Sequence, residues 1–418
     1  MKLKSTYNYY GLLALFLYIT LVFGFYIDEN LNFGAMQDWK HTDLPVINDL
    51  SFNIKETLLN YNSYGHRHSP VYLIFLSLFK RVGFSFDSIR FLHLNLSLFL
   101  IFVFYKCLIL KFYKIEKNIL LLISLSIFLS PTFRSLAIWP SSRMIGLMFF
   151  TISVLEFLRY LETPKKIYMW KNIIFLIISS YISPNFSLFI IFFLHHYLSK
   201  KNFKDLIQIL LFCFFSSLPA FYYIFILDVN FLIASTPGQT LDSVIGLSFN
   251  LSNKILIIST IIFFQLLPFL ANKNFITNFL KLPKKDFLII SIFLIINLYF
   301  FNYEINFTGG GIFFQLSNFF FNNNYLFYFI SFISLILIAN FLKNNISNFL
   351  IFFLLIISNI QNTIYHKYYD PFIMILFFTL INNSLSYKFF DNRSKVFYIY
   401  YFYLIYILIR IIKNYYLS

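Results

Sequence analysis

Two adjacent acids, Asp28 and Glu29, stand just beyond the first long apolar stretch of this 418-residue chain, at the depth where a lipid phosphate lies. A carboxylate at a partly dehydrated membrane mouth is suited to take a proton from an acceptor hydroxyl while a sugar is transferred to it. The plainer reading is that the pair marks the water boundary, since exposed acids at span ends are common. Asp38, further along the same loop, stands next in line and is placed among the substrate contacts.

Cationic groups that fit a phosphate recur at three places. His66-Arg67-His68 precede Ser69-Pro70, and an Arg guanidinium matches phosphate through its forked donors. Arg134 and Arg143 bracket the short turn Trp139-Pro140-Ser141-Ser142, and Tyr365-His366-Lys367-Tyr368-Tyr369-Asp370-Pro371 lies between two late apolar runs. Each has a plain alternative: a solvated basic turn, a structural arginine, or a Tyr belt with a snorkelling Lys. The stretches 228–253 and 303–324 offer uncharged polar groups with isolated acids, which suit sugar hydroxyls and suit any surface loop. Gly309-Gly310-Gly311 lacks the lysine and the strand-to-helix setting of a nucleotide loop, and no HExxH, GxSxG, CxxC or Walker pattern occurs. Cys107 and Cys213 each sit inside an apolar run, so they read as small core hydrophobes and build neither a disulfide framework nor a zinc site.

The elements that must carry these groups are membrane helices. Hydrophobic residues make up 59% of the chain and charged ones 12%, against about 45–50% and about 25% in a soluble domain. The mean hydropathy is +0.73, and long apolar runs recur to the C-terminus. With only 11 Gly and 11 Pro and no alternating short strands, neither an outer-membrane barrel nor a low-complexity linker fits. The expected fold is therefore an all-α polytopic membrane protein forming a single integral membrane domain over residues 1–418. About thirteen transmembrane helices are expected, near 9–27, 91–110, 118–136, 142–159, 171–183, 185–199, 205–227, 255–271, 287–302, 325–342, 347–361, 371–383 and 396–412. The first is read as a retained anchor, because no small-residue cleavage site follows it.

With the N-terminus in the cytoplasm, 21 of the 33 basic residues fall on that side and 11 of the 17 acids fall outside, as the positive-inside bias requires. Arg410 and Lys413 are then left outside by the last span. Residues 28–90 form much the longest outer loop. Its apolar run from Pro70 to Phe79 is too short to cross, so helices near 35–60 and 70–80 are expected to lie in the outer interface.

The sequence Tyr26-Ile27-Asp28-Glu29, then His68-Ser69-Pro70-Val71-Tyr72-Leu73, Phe79-Lys80-Arg81-Val82-Gly83 and Ile89-Arg90-Phe91-Leu92, resembles the opening of the GT-C superfamily of glycosyltransferases, which use lipid-phosphate sugars. That superfamily includes protein O-mannosyltransferases, aminoarabinose transferases of lipid A and dolichol-pathway glucosyltransferases. The likeness continues more faintly through Ser130-Pro131-Thr132-Phe133-Arg134 to Ser142-Arg143, Tyr181-Ile182-Ser183-Pro184-Asn185 and His366-Lys367-Tyr368. It covers about the first 200 residues, and it departs from the common pattern where members carry two consecutive prolines and this chain has Ser69-Pro70. The resemblance implies an inner- or plasma-membrane transferase that moves a sugar from a polyprenyl-phosphate donor to a lipid, glycan or protein acceptor at the outer face, with inversion and no nucleic acid involved. It makes Asp28 the catalytic carboxylate with Glu29 as neighbour or substitute, and Arg67, His68, Arg143, His366 and Lys367 the contacts of the donor phosphate. No cofactor is implied, although paired carboxylates fit either metal-free base catalysis or a divalent ion.

Three rivals remain at this stage. A flippase or transporter of lipid-linked sugars would place ionisable groups at the bilayer midplane and repeat its halves. A polysaccharide polymerase or ligase would carry its largest loop late. A structural subunit would have no active site, and its outer acids would serve solvation alone.

Overall fold

The computed structural model describes residues 2–66, 68–199, 203–229, 250–270, 283–304, 309–343, 345–359, 361, 363–390 and 394–416. Among them there are helices and turns and no strand. They form two compact units, Met1–Ile245 with Tyr403–Ser418, and Gly246–Phe402.

In the first unit α1 (Lys2–Tyr26) leads into a set of short helices: α2 (Phe33–Gln37), a π-helical turn (Asp38–Asp43), α3 (Leu44–Phe52), α4 (Ile54–Leu59) and α5 (Pro70–Arg81). Then come α6 (Phe86–Lys111), α7 (Lys117–Leu125) with a 3-10 turn to Leu129, α8 (Pro131–Ile138), α9 (Ser142–Glu162), α10 (Lys166–Ile182), α11 (Ile190–Ser199) and α12 (Phe203–Phe221). The boundaries follow local chemistry. Ser69, Ser85, Ser130 and Ser141 each cap a helix through the side-chain oxygen, and Pro70 and Pro131 occupy first-turn positions where no N–H is needed.

Seven helices among the described residues are long and apolar enough to cross a membrane, and the pair Lys117–Leu129 and Pro131–Ile138, bent by 66°, would make an eighth. They coincide with the stretches expected at 9–27, 91–110, 118–136, 142–159, 205–227, 255–271, 325–342 and 396–412. The other five fall on shorter elements, because Pro184, Pro283 and the Asn- and Ser-rich turns cut them. α10 has 17 residues, and the 185–199 run is split into a 3-10 turn (Pro184–Phe189) and α11. The Pro70 run forms a helix of 12 residues. Apolar side chains such as Leu12, Phe16, Ile19 and Phe23 on α1, and Leu211, Phe214, Phe215 and Leu218 on α12, are exposed, as suits helices whose solvent is hydrocarbon.

Within the first unit α9 and α10 pack closely. A Cβ on Gly146 would come within 2.6 Å of Ser183 Cβ, so only glycine admits this approach. A buried polar knot sits deeper in the pair: Asn172 Nδ2 donates to Ser153 O (2.9 Å) and Oγ (2.8 Å), while Tyr197 Oη donates to Asn172 Oδ1 (2.9 Å).

The second unit is built on α13 (Leu251–Leu270), with α14 (Lys284–Tyr299), α15 (Gly311–Phe321), α16 (Tyr325–Leu342), α17 (Ile346–Ile357), α18 (Phe372–Thr379), α19 (Ser384–Phe390) and the start of α20 (Ser394–Tyr416). Its core is aromatic. Phe269 meets Phe377, Phe378 and Phe389 with ring centroids at 4.7, 5.3 and 4.9 Å, contacts worth about 0.5–1.5 kcal/mol each beyond burial. Gly310 and Gly311 take φ of +80° and +77° to open α15, which gives the glycine run a structural task.

Replacing Asn172 by Leu removes both donations to Ser153, whose own hydroxyl keeps its bond to the Asn172 backbone O (2.9 Å), and orphans the buried Tyr197 hydroxyl, so the loss should approach about 2 kcal/mol, above the roughly 0.6 kcal/mol average of one interhelical bond in a bilayer. A thermal midpoint in detergent lowered by several degrees is expected; a change of under about one degree would contradict the knot's importance.

Candidate functional site

α1 ends in a hydrogen-bonded turn that separates the two acids. Glu29 N–H donates to Gly24 O (2.8 Å) and Asp28 N–H to Phe25 O (3.3 Å), while Asp28 takes φ +52°, the left-handed residue such helix ends require. Asp reaches that region more readily than branched residues do. The turn folds Glu29 back over the helix, where a Cβ on Gly24 would stand 2.7 Å from Glu29 Oε2 and 3.0 Å from Arg134 Nη2.

Glu29 is an anchor. Arg134 donates Nε to Oε1 and Nη2 to Oε2, both at 2.6 Å, and also reaches Thr20 Oγ1 (3.2 Å) and Thr20 O (2.9 Å). The side chains are 14% and 7% exposed, so both carboxylate oxygens are occupied in a desolvated setting. Trp139 Nε1 donates to Glu29 O (2.9 Å), which ties α8 and the turn after it to the same point.

Asp28 is placed otherwise. Its side chain is 54% exposed and accepts through Oδ1 from Arg90 Nη2 at 2.7 Å; among the described residues Oδ2 has no partner. Arg90 also holds Asp87 (3.0 Å), and its guanidinium lies 3.9 Å from the Trp139 ring centroid and 4.9 Å from that of Phe25. Lys40 Nζ lies 5.5 Å from the same Trp139 ring, so the π-helical turn that carries Asp38 and Lys40 reaches this face. The end of α20 returns here as well: Arg410 Nε donates to Leu31 O (2.7 Å) and Asn414 Nδ2 to Asn30 O (2.9 Å). An open carboxylate thus stands beside Arg90, which is laid over an indole whose ring Lys40 also approaches.

Arg143 opens α9, with its guanidinium 5.6 Å from the Phe186 ring. His68 is half-buried and stands with Asp43 and His66, one ligand atom of each lying within 4.8 Å of the others. His66 Nε2 meets Asp43 Oδ1, and Tyr61 Oη lies 3.0 Å from His66 Nδ1 while donating to His68 O (2.8 Å). Burial, and then the Asp43 charge, hold the Tyr61 phenol well above its usual pKa, so it remains a donor. A second buried histidine, His93, donates Nε2–H to Leu136 O (2.7 Å) and accepts from Tyr72 Oη, which fixes α5 on α6 and α8. Arg67 and the polar run 235–242 lie outside the described residues.

His366 and Lys367 belong to the second unit. Gln265 Nε2 donates to His366 Nε2 (2.9 Å), and Lys367 Nζ lies 5.2 Å from the Tyr365 ring. The strand of chain before them is pinned by Gly310 N–H on Ile364 O (3.0 Å) and by Ile364 N–H on Tyr303 Oη (3.3 Å), and burial pushes the Tyr303 phenol up to about 12.

Arg90, Lys40, Trp139, Asp43 and Tyr61 carry this arrangement, and sequence reading gave them no role. The spacing His66-x-His68 with Asp43 in the same loop was the one signal available for the histidine cluster. The chain matches no family model, no curated protein and no solved structure.

The two acids should separate cleanly on stability. Glu29→Ala leaves the Arg134 charge buried and should cost about 3–5 kcal/mol, whereas Asp28→Asn keeps an amide oxygen that accepts from the buried Arg90, whose charge Asp87 still balances, and should cost about 1 kcal/mol or less. Equal thermal shifts for the two variants would contradict the assignment of Glu29 as the anchor.

Proposed function

We propose that this chain is a polytopic membrane glycosyltransferase that moves a sugar from a polyprenyl-phosphate donor to an acceptor hydroxyl at the outer face, with Asp28 as the base. One observation carries the reading: of two neighbouring acids at the end of α1, Glu29 is locked on Arg134 and Asp28 keeps an open oxygen toward solvent beside Arg90. In the reaction Asp28 Oδ2 takes the hydroxyl proton as the acceptor oxygen bonds to the anomeric carbon. The bond from that carbon to the phosphate oxygen breaks in the same displacement, so configuration inverts and polyprenyl phosphate leaves with the electron pair. Arg90 holds the base in place, and Lys40 and Arg143 supply positive charge for the phosphate.

The topology that goes with this activity has about thirteen crossings, five of them by the shorter helices, with the N-terminus in the cytoplasm and residues 28–90 outside. In a Cys107→Ser, Cys213→Ser background, Asn62→Cys should react with an impermeant maleimide added outside to intact cells. Labelling from the cytoplasm alone would reverse the topology.

Asp28→Asn should lower release of polyprenyl phosphate from a panel of polyprenyl-phosphate hexoses and pentoses by roughly 100-fold or more, the ordinary worth of a general base, at unchanged expression. Retention of more than about a tenth of the wild-type rate would move the base elsewhere.

A further inference from the structure

We propose that Asp43, His66 and His68 bind one divalent transition-metal ion of the zinc class and that this ion clips the first outer segment shut. Two imidazoles and one carboxylate are a donor set such ions take, commonly with one position left for water or substrate. The three side chains come from separate local structures: Asp43 closes the π-helical turn, and His66 and His68 follow Gly65, whose φ of +57° reverses the chain. Their ligand atoms lie within 4.8 Å of one another, and modest ring rotations bring them to the edges of about 3.4 Å that zinc–ligand bonds of about 2.05 Å define. Asp43 and His66 are buried and His68 is half-buried, so the site has a closed side and an entry side.

Tyr61 makes the site competent for an ion. Without one, the single ring proton of His66 rests on Nε2 and is donated to Asp43, with Nδ1 accepting from His68 N–H (3.1 Å). With one, the proton moves to Nδ1, the ring turns away from His68 N–H, which gives up its bond to that atom, and Nδ1 donates to Tyr61 Oη, now 3.0 Å away, while the Tyr61 hydroxyl continues to His68 O at 2.8 Å. That relay frees the Nε2 lone pair for the metal and orients the ring, as outer partners of metal-binding histidines do. The ion would join residues 23 positions apart, across α3, α4 and the 3-10 turn Tyr61–Tyr64, so its binding free energy adds to the stability of this segment. The site is independent of the transfer reaction and its test does not use that activity.

The full chain, purified and stripped with chelator, is titrated with zinc chloride alone by calorimetry, and with cobalt chloride alone by absorption. One equivalent should bind, raise the thermal midpoint and slow proteolysis between residues 44 and 65, and cobalt should give the intense visible bands of a four- or five-coordinate site. His68→Gln keeps the buried Asp43–His66 pair and should weaken zinc binding at least about 100-fold, and Tyr61→Phe about 10- to 100-fold. Absence of saturable zinc or cobalt binding to the wild-type chain would overturn the proposal, even if a variant fails to fold. So would binding of unchanged affinity in His68→Gln.

Discussion

The bidentate pair of Glu29 and Arg134 is the interaction on which the C-terminal end of α1 and its surroundings depend. Removing both charges from water is expensive, and the geometry offsets it only because every available partner is used: two carboxylate oxygens meet two guanidinium nitrogens, and Thr20 takes the remaining bonds. That requirement explains the surrounding residues. Gly24 must lack a side chain, Asp28 must turn left-handed, α8 must be short and fully buried, and Trp139 must reach back to the Glu29 carbonyl. A membrane helix that simply ended in water would need none of these.

Once the anchor is set, the position of Asp28 follows. The left-handed turn points it away from Glu29, and Arg90, carried on the first turn of α6 and laid over Trp139 and Phe25, meets only one of its oxygens. Two chemically similar neighbours are thereby given different environments, one saturated and desolvated, the other half-exposed. This is the arrangement in which adjacent carboxylates divide structural and reactive roles. The cost of leaving an acid open is borne by a fold in which the neighbouring acid is held from two sides.

The helical class and the eight long apolar stretches were legible because composition and run length report the solvent around a helix directly. So was the short Pro70 helix, from its length alone. Shorter elements such as Ile346–Ile357 and Phe372–Thr379 were legible as apolar but not in extent, since neighbouring helix ends are fixed by tertiary bonds like those from Asn348, within Ile346–Ile357, to Phe341 O and Asn382 O. The pairing of Glu29 with Arg134 spans 105 positions and that of Asp28 with Arg90 spans 62. No local pattern encodes such contacts, and Arg134 read equally well as a phosphate ligand. Lys40 was hidden for a related reason: it approaches an indole face, which leaves no charge pattern in the sequence, and the Asp87–Arg90 spacing gave only an ordinary helix-surface pair.

The account turns on whether a lipid phosphate approaches the open carboxylate. A density map of the full chain in nanodiscs with an added polyprenyl phosphate addresses this directly. The account predicts a phosphate beside Arg90, Lys40 and Arg143, with Asp28 Oδ2 facing the space next to it and Glu29 still locked on Arg134. A polyprenyl phosphate bound only at the opposite end of α1, or an Asp28 carboxylate closed on both oxygens by protein donors in its presence, would contradict it.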